Sequence, residues 1–175
     1  MADPQNIKLG TCKISYGGVD LGLTAGGVEV TVGTNTHETK VDQYGDTVVN
    51  EFITGRSCTV SAPLVETTID NLIATMPGAV LVTDGVDPNK KRVDVASGVG
   101  VSLRGQAKEL ILHPIALPDS DVSEDFIIPL AGVAGALNFA YKLDQERVFN
   151  TEFKAYPDQS KNGLLFQIGD KTATA

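Results

Sequence analysis

Hydrophobic positions along most of this chain recur at every second residue, which is the period of a strand with one buried face. Val28, Val30 and Val32, for example, alternate with Glu29 and Thr31. Runs of this kind, separated by Gly, Pro, Asn or Asp, predict a series of short strands. The predicted strands cover residues 7–16, 19–23, 28–32, 48–53, 56–63, 79–83, 92–96, 99–103, 107–112, 126–130, 137–142, 149–153 and 164–168.

One segment has the period of an α-helix instead. Its apolar residues recur at the i, i+4, i+7 and i+8 spacing that places them on a single face. Thr67 can cap the N-terminus, and Pro77 followed by Gly78 ends the pattern. The pattern predicts a helix over about residues 67–76, packed on a sheet because so short a helix is not stable alone. The predicted packing face consists of Ile69, Leu72, Ile73 and Met76.

A long polar segment separates the strands predicted at residues 28–32 and 48–53. A hairpin usually turns within about two to five residues. This segment, about residues 33–46, contains almost nothing that a core could bury. We therefore expect a long polar loop, an arm that a neighbouring subunit orders when it binds.

The length of 175 residues suits a single domain over residues 1–175. Gly, Val and Thr are frequent and Trp is absent, as is typical of short strands and turns. The spacing of strands and turns predicts a mainly β domain, a sandwich or barrel, with one flanking α-helix. Pro129 lacks a backbone N–H, so we expect the strand at residues 126–130 to lie at a sheet edge.

The charge balance is acidic, with a formal net charge of −8. Such a chain does not neutralise phosphates, which argues against a protein that grips nucleic acid. The charge fits two other interpretations, a surface past which nucleic acid slides or simple solubility.

Two cysteines, Cys12 and Cys58, are too few and too far apart for a zinc site. We expect free, mostly buried thiols in a reducing compartment. The N-terminus shows no signal-peptide pattern, and no apolar run approaches the roughly 18–20 residues of a membrane helix. We expect a soluble protein, made in the cytoplasm, without a membrane span.

The sequence contains no GxSxG, HExxH or Walker motif. His37 and His113 have no partner at metal-ligand spacing, so each is interpreted as a surface or structural histidine. The acidic loop at residues 119–125 lacks the EF-hand pattern and is interpreted as a solvated charge cluster. We expect no catalytic, metal or cofactor site and no enzyme activity, but a function exerted through surfaces.

The order of elements resembles, over essentially the whole chain, the major tail tube proteins of long-tailed bacteriophages, especially the Chi-like siphophages. The similarity is clearest in the segments VEVTVGTNTHETKVDQYGDTVVNEFITG, SCTVSAPLVETTIDNLIATMPGA and GALNFAYKLDQERVFNTEFKAYPD. The resemblance implies a β-sandwich with a flanking helix that forms hexameric rings. Inner strands of six subunits would line a channel, and stacked rings would form a tube that conducts genome DNA.

The resemblance also implies partners and a location. The partners would be other copies of the chain and the tape-measure, tail-terminator and tail-tip proteins. Double-stranded DNA would pass through without specific binding. The protein would reside in the virion tail after assembly in the host cytoplasm.

By the same resemblance, the arm would reach into the adjacent ring. An acidic lumen would repel phosphates and prevent adsorption of the DNA. Glu29 and Glu51, on the strands that flank the arm, are the candidate lumen residues. The candidate stacking residues are Thr34, His37, Glu38, Lys40, Asp42, Tyr44 and Asp46.

Three alternatives stay open at this point. The first is the tube protein of a contractile injection or secretion system, which shares the implied fold. The second is a carbohydrate-binding or adhesin-type β-sandwich, which would favour exposed aromatic residues, whereas Trp is absent here. The third is an enzyme with an unfamiliar site, for which no group of residues gives support.

Overall fold

The computed structural model describes residue 8 and residues 10–135, 137–138, 141–144 and 146–173. This part of the chain is mainly β, as predicted. The elements are β1 (Cys12–Tyr16), β2 (Val19–Asp20), β3 (Glu29–Lys40), β4 (Val48–Leu64), α1 (Ile69–Thr75), β5 (Ala79–Thr83), β6 (Lys91–Val95), β7 (Lys108–Pro114), β8 (Phe126–Val133), β9 (Phe149–Ala155) and β10 (Gln167–Ile168). Within the described ranges, no helix is both long and apolar enough to cross a membrane.

Most strands belong to one antiparallel sheet with the order β2-β1-β7-β8-β9-β4-β3. The first residues of β8 also pair with β10, and its last residues pair with β9. β5 and β6 form a separate two-stranded sheet that contacts α1. The sheet order makes β8 a central strand and β3 the strand at one end.

The main sheet curls until its two ends meet. The segment after β2 reaches the end of β4, where the Ala25 N–H donates to the Pro63 carbonyl at 3.0 Å. The rings of Tyr16 in β1 and Phe153 in β9 have centroids 5.1 Å apart. These strands are three positions apart, so a flat sheet would separate them by about 14 Å. The curled sheet therefore encloses a barrel-like core.

The core is formed by one face of this sheet. Alternate residues of the paired strands are buried, for example Val60 of β4 opposite Phe153 of β9, both fully inaccessible. Burial of this face is the main favourable contribution to folding. The buried cluster consists of Ile14, Tyr16, Leu21, Cys58, Val60, Ala62, Leu64, Leu110, Leu112, Ile128, Ala131, Val133, Phe149 and Phe153.

The edge position predicted from Pro129 is wrong, because β8 has neighbours on both sides. Pro129 lies at a register shift, between the pairs Leu110↔Ile128 and Lys108↔Ala131. On the other side it falls between the parts of β8 that pair with β10 and with β9. A bulged residue lacks a ladder partner, so the missing N–H costs no hydrogen bond at this position.

Two further strand predictions differ from the structure. Residues 99–103 form turns, because Gly98 and Gly100 both adopt positive φ angles that interrupt an extended chain. In the range 137–142, residues 137, 138, 141 and 142 are not in a strand, and Phe139 lies outside the described residues.

α1 occupies the predicted place but is shorter and is capped one residue later. Thr68, not Thr67, is the N-cap, and its Oγ1 accepts a hydrogen bond from the Asn71 N–H at 3.1 Å. The buried helix residues are Asn71 and Thr75. The members of the predicted packing face, Ile69, Leu72, Ile73 and Met76, are all half-buried.

Hydrogen bonds explain why a polar face of α1 is buried. Asn71 Nδ2 donates to the carbonyls of Leu21 at 2.9 Å and Glu66 at 3.0 Å, and Thr75 Oγ1 donates to the Asn71 carbonyl at 2.9 Å. A buried polar group whose hydrogen bonds are satisfied avoids the desolvation penalty that an unpaired buried group carries. The bond to Leu21, a core residue, therefore helps to attach the helix to the barrel.

Candidate interaction surface

The polar segment predicted as a loop is mostly strand. β3 and β4 pair from Glu29↔Ser61 to Lys40↔Val48, and residues 41–47 form the turn. Ladder hydrogen bonds need only backbone groups, and the threonines of this segment favour extended backbone without a core to bury them. The arm is thus a hairpin in which each strand pairs with the other, which corrects the prediction of a loop.

The β3–β4 hairpin extends well beyond the barrel. β4 pairs with β9 through residues 59–64, whereas its residues 48–58 pair with β3. None of the residues 29–57 is buried. At about 3.3 Å per residue, residues 33–40 extend roughly 26 Å. We call residues 29–58 the projecting hairpin.

The pairing register defines two faces of the projecting hairpin. Val30 lies opposite Val60 and Val32 opposite Cys58, whose side chains are both buried in the barrel core. Directly opposed residues point to the same side of a sheet. We call this side, which continues the buried side of β4, the valine face.

The other side is polar at its base, and we call it the hydroxyl face. Glu29 lies opposite Ser61, and Thr31 lies opposite Thr59. Ser61 is exposed and Thr59 is half-buried. The two faces therefore differ in chemistry as well as in their relation to the core.

Register shifts decide which face the distal residues of β4 occupy. The pair Asn35↔Gly55 is followed by Thr36↔Ile53, so Thr54 is an extra residue on β4. A β-bulge of this kind reverses the alternation of the strand that contains it. It places Ile53 on the valine face and Phe52 on the hydroxyl face. A second shift, between Thr39 and Lys40, places Val48 on the valine face.

The predicted arm and lumen residues do not form one surface. Thr34, Glu38 and Lys40 follow Val30 and Val32 on the valine face, while His37 lies on the hydroxyl face opposite Phe52. The candidate lumen residues are also separated, since Glu29 lies on the hydroxyl face and Glu51 on the valine face.

Three of the predicted arm residues belong to the turn. Asp42 and Tyr44 bound a short 3-10 turn, and Gly45 ends it with a φ of 59°, which glycine adopts without strain. The Tyr44 side chain is strongly exposed. Asp46 Oδ1 lies 4.0 Å from Lys40 Nζ across the turn. The tip is therefore a structured, polar end with one exposed aromatic ring.

Two carboxylates oppose each other on the valine face. Glu38 is the cross-strand partner of Glu51. Neither forms an ion pair with any residue in the described ranges. Like charges directly opposite in a sheet are destabilising. The same face exposes Val30, Val32, Val48 and Ile53 and also carries Lys40 and Arg56, so it combines apolar area with charged side chains of both signs.

His113 is a structural histidine on β7. Its Nδ1 lies 2.6 Å from Asp125 Oδ1, and its Nε2 lies 3.4 Å from the Leu117 carbonyl oxygen. The hydrogen bond with Asp125 raises the pKa of His113 above its ordinary value. The imidazole thereby fixes the acidic loop at residues 119–125 to the barrel.

The rest of the acidic loop is held by lysines and backbone groups. Lys13 Nζ lies 2.6 Å from Asp119 Oδ1, and Lys8 pairs with Glu124. The Asp119 pKa is lowered by this hydrogen bond with Lys13. In the described ranges, no three His, Cys, Asp or Glu side chains are grouped so that they could hold a metal ion.

The two cysteines are free, as predicted. Cys58 is buried and Cys12 is half-buried, and burial raises the pKa of both thiols. Raised thiol pKa values disfavour the reactive thiolate. Both side chains pack in or against the core, which is a structural role.

Sequence reasoning missed the Thr54 bulge and the apolar residues that it directs to one face. A signal was present, because Val48, Val49, Phe52 and Ile53 do not alternate with period two. Two such breaks in one strand indicate extra residues, although they do not say where the partner strand pairs.

These observations define the projecting hairpin, with its two faces and its tip, as the candidate interaction surface. The chain was compared with family models and with curated proteins, and no match was found in either comparison.

Proposed function

We propose that this protein is a structural subunit of a bacteriophage tail tube. Six copies form a ring, and rings stack into a hollow tube that conducts genome DNA. The observation that carries the proposal is the projecting hairpin, which pairs within itself while none of its residues 29–57 is buried. A surface of this size without a covering element is typical of an assembly interface.

The two outer edges of the hairpin can pair with each other by backbone hydrogen bonds between neighbouring copies. β3 pairs with β4 alone, and residues 48–58 of β4 pair with β3 alone among the described strands. In a ring with rotational symmetry, neighbouring hairpins have the same orientation, so β3 of one copy runs antiparallel to β4 of the next. The free N–H and C=O groups of both edges can then form a ladder.

The acidic composition supports the proposed passage of DNA. With a net charge of −8, each subunit adds negative charge to the tube. Repulsion between carboxylates and phosphates opposes adsorption of DNA to the wall. The tape-measure, terminator and tail-tip proteins are the further partners in this proposal.

Trimming the hairpin tests the proposal. Gly33 and Ser57 are cross-strand partners, so an Asn-Gly turn that replaces residues 34–56 closes a shorter hairpin. No residue in that range is buried. We expect a folded monomer, with stability changed by about 1 kcal/mol or less, that no longer assembles into rings or tubes. Sedimentation velocity and negative-stain electron microscopy measure the assembly.

A second trimmed hairpin provides a matched control. Thr83 and Lys91 are partners in the β5–β6 sheet, so replacement of residues 84–90 by Asn-Gly trims another exposed turn. We expect this variant to assemble like the full-length chain. The proposal fails if the full-length protein stays monomeric both alone and with purified tail-tip proteins. Binding of glycans by that monomer would favour the carbohydrate-binding alternative.

A further inference from the structure

We propose that the two faces of the projecting hairpin have different surroundings in the assembly. The valine face is covered by the barrel of a second copy, and the hydroxyl face stays in water. This inference rests on the proposed self-assembly and goes beyond it, because it assigns individual residues to the covered and the open side.

The position of the barrel indicates which face of the hairpin is covered. On β4, the side chains of Cys58 and Val60 point into the barrel of their own chain and are buried, while Ser57 and Ser61 on the other side are exposed. Each barrel therefore lies on the valine side of its own sheet. When sheets extend edge to edge, residues keep their side. All barrels of the assembly then lie on the valine side, and none lies on the hydroxyl side.

The chemistry of the two faces agrees with this direction. The valine face carries Val30, Val32, Val48 and Ile53, each of them exposed in the single chain. Removal of apolar side chains from water is the main driving force of association. The base of the hydroxyl face instead carries Glu29 and hydroxyl side chains, which remain hydrated at no cost.

The two carboxylates on the valine face predict that basic side chains lie near them in the assembly. Glu38 and Glu51 are opposed on this face. A charge that becomes buried must be paired, since an unpaired one is strongly destabilising. The pair is therefore expected to be matched by lysine or arginine side chains, from Lys40 and Arg56 on the same face or from the covering barrel. Glu51 is then an interface residue, and Glu29 is the one of the two candidate lumen residues that faces the open side.

Neighbouring residues on either side of the bulge give a matched test. Ile53 and Phe52 are 57% and 56% exposed in the single chain but lie on opposite faces. We expect Ile53→Asp to raise the critical concentration for assembly at least about tenfold, whereas Phe52→Asp changes it less than about threefold. Sedimentation of a concentration series measures both values, and thermal melting of the dilute monomers checks folding.

A second pair on β3 is independent of the bulge. Val32 and Thr31 are adjacent, exposed and on opposite faces. Val32→Asp is expected to block assembly and Thr31→Asp to permit it. The inference is overturned if both members of a pair of folded variants block assembly, if neither does, or if the order is reversed. In those cases assembly of the unmodified chain still supports the proposed function, whereas an unmodified chain that fails to assemble contradicts the proposed function itself.

Discussion

The hydrogen bond between His113 and Asp125 is expected to make the stability of the barrel depend on pH. The Nδ1–Oδ1 distance is 2.6 Å, and the two side chains are 12% and 6% exposed. Asp125 is also tied to the chain end through its carbonyl, which accepts a hydrogen bond from the Gly169 N–H. The perturbation is the loss of the imidazolium charge as the pH rises.

The sign follows from the raised pKa of His113 in the folded protein. The unfolded chain has the ordinary histidine pKa of about 6.5. The stabilisation is therefore complete below that pH and is lost as the pH rises through the higher pKa of the folded state. A hydrogen bond to a charged group contributes about 1.5–3 kcal/mol and a neutral one about 0.5–1.5 kcal/mol. The part that depends on pH is thus about 1–2 kcal/mol.

Calorimetry between pH 5 and about pH 9 measures this effect. For a domain of this size, a loss of about 1–2 kcal/mol lowers Tm by roughly 2–8 °C. His113→Asn should remove this part of the pH dependence. His37→Asn is the matched control, since His37 is exposed on the projecting hairpin and should leave the profile unchanged. Parallel Tm profiles of the unmodified protein and His113→Asn would refute the reasoning.

Two further substitutions test the hairpin and the helix attachment by urea unfolding. Glu51→Gln removes one of two opposed charges and should stabilise the monomer by a few tenths of a kcal/mol. Glu29→Gln is the control, because Glu29 lies opposite a serine and its substitution should have no such effect. Equal effects of the two substitutions would contradict the assigned register. Asn71→Ala should cost about 1–3 kcal/mol because one buried and one partly buried backbone carbonyl lose their donor. Asn89→Ala, at an exposed turn, should cost less than about 0.5 kcal/mol; a similar loss for both would contradict the role of Asn71.

Local patterns predicted the strands that have one buried face. Residues 79–83 and β5 coincide, and the alternation of Cys58 and Val60 with Ser57 and Thr59 matches the two sides of β4. Alternation of apolar and polar residues indicates a strand with one buried side, so it predicts strands reliably where the chain itself buries that side. It does not record which strand lies beside which, and the central position of β8 therefore could not be predicted from Pro129.

The helical pattern likewise predicts local structure but not the packing of the helix on its neighbours. A period of 3.6 residues states which side chains share a face, but not which face meets the barrel. In α1 the deciding contact is the hydrogen bond from Asn71 Nδ2 to the Leu21 carbonyl, which joins residues distant in sequence. α1 also contacts the small β5–β6 sheet.

The projecting hairpin could not be predicted as a hairpin because neither of its faces is buried by its own chain. An isolated two-stranded ribbon is at best marginally stable in water. Ordering each residue costs about 1–2 kcal/mol of backbone entropy, whereas each hydrogen bond of the ladder contributes about 0.5–1.5 kcal/mol. The opposed pair Glu38 and Glu51 weakens it further. Apolar side chains on the valine face gain nothing while they remain exposed. Their stabilising contribution requires a covering surface, which is the condition that assembly with further copies of the chain would meet.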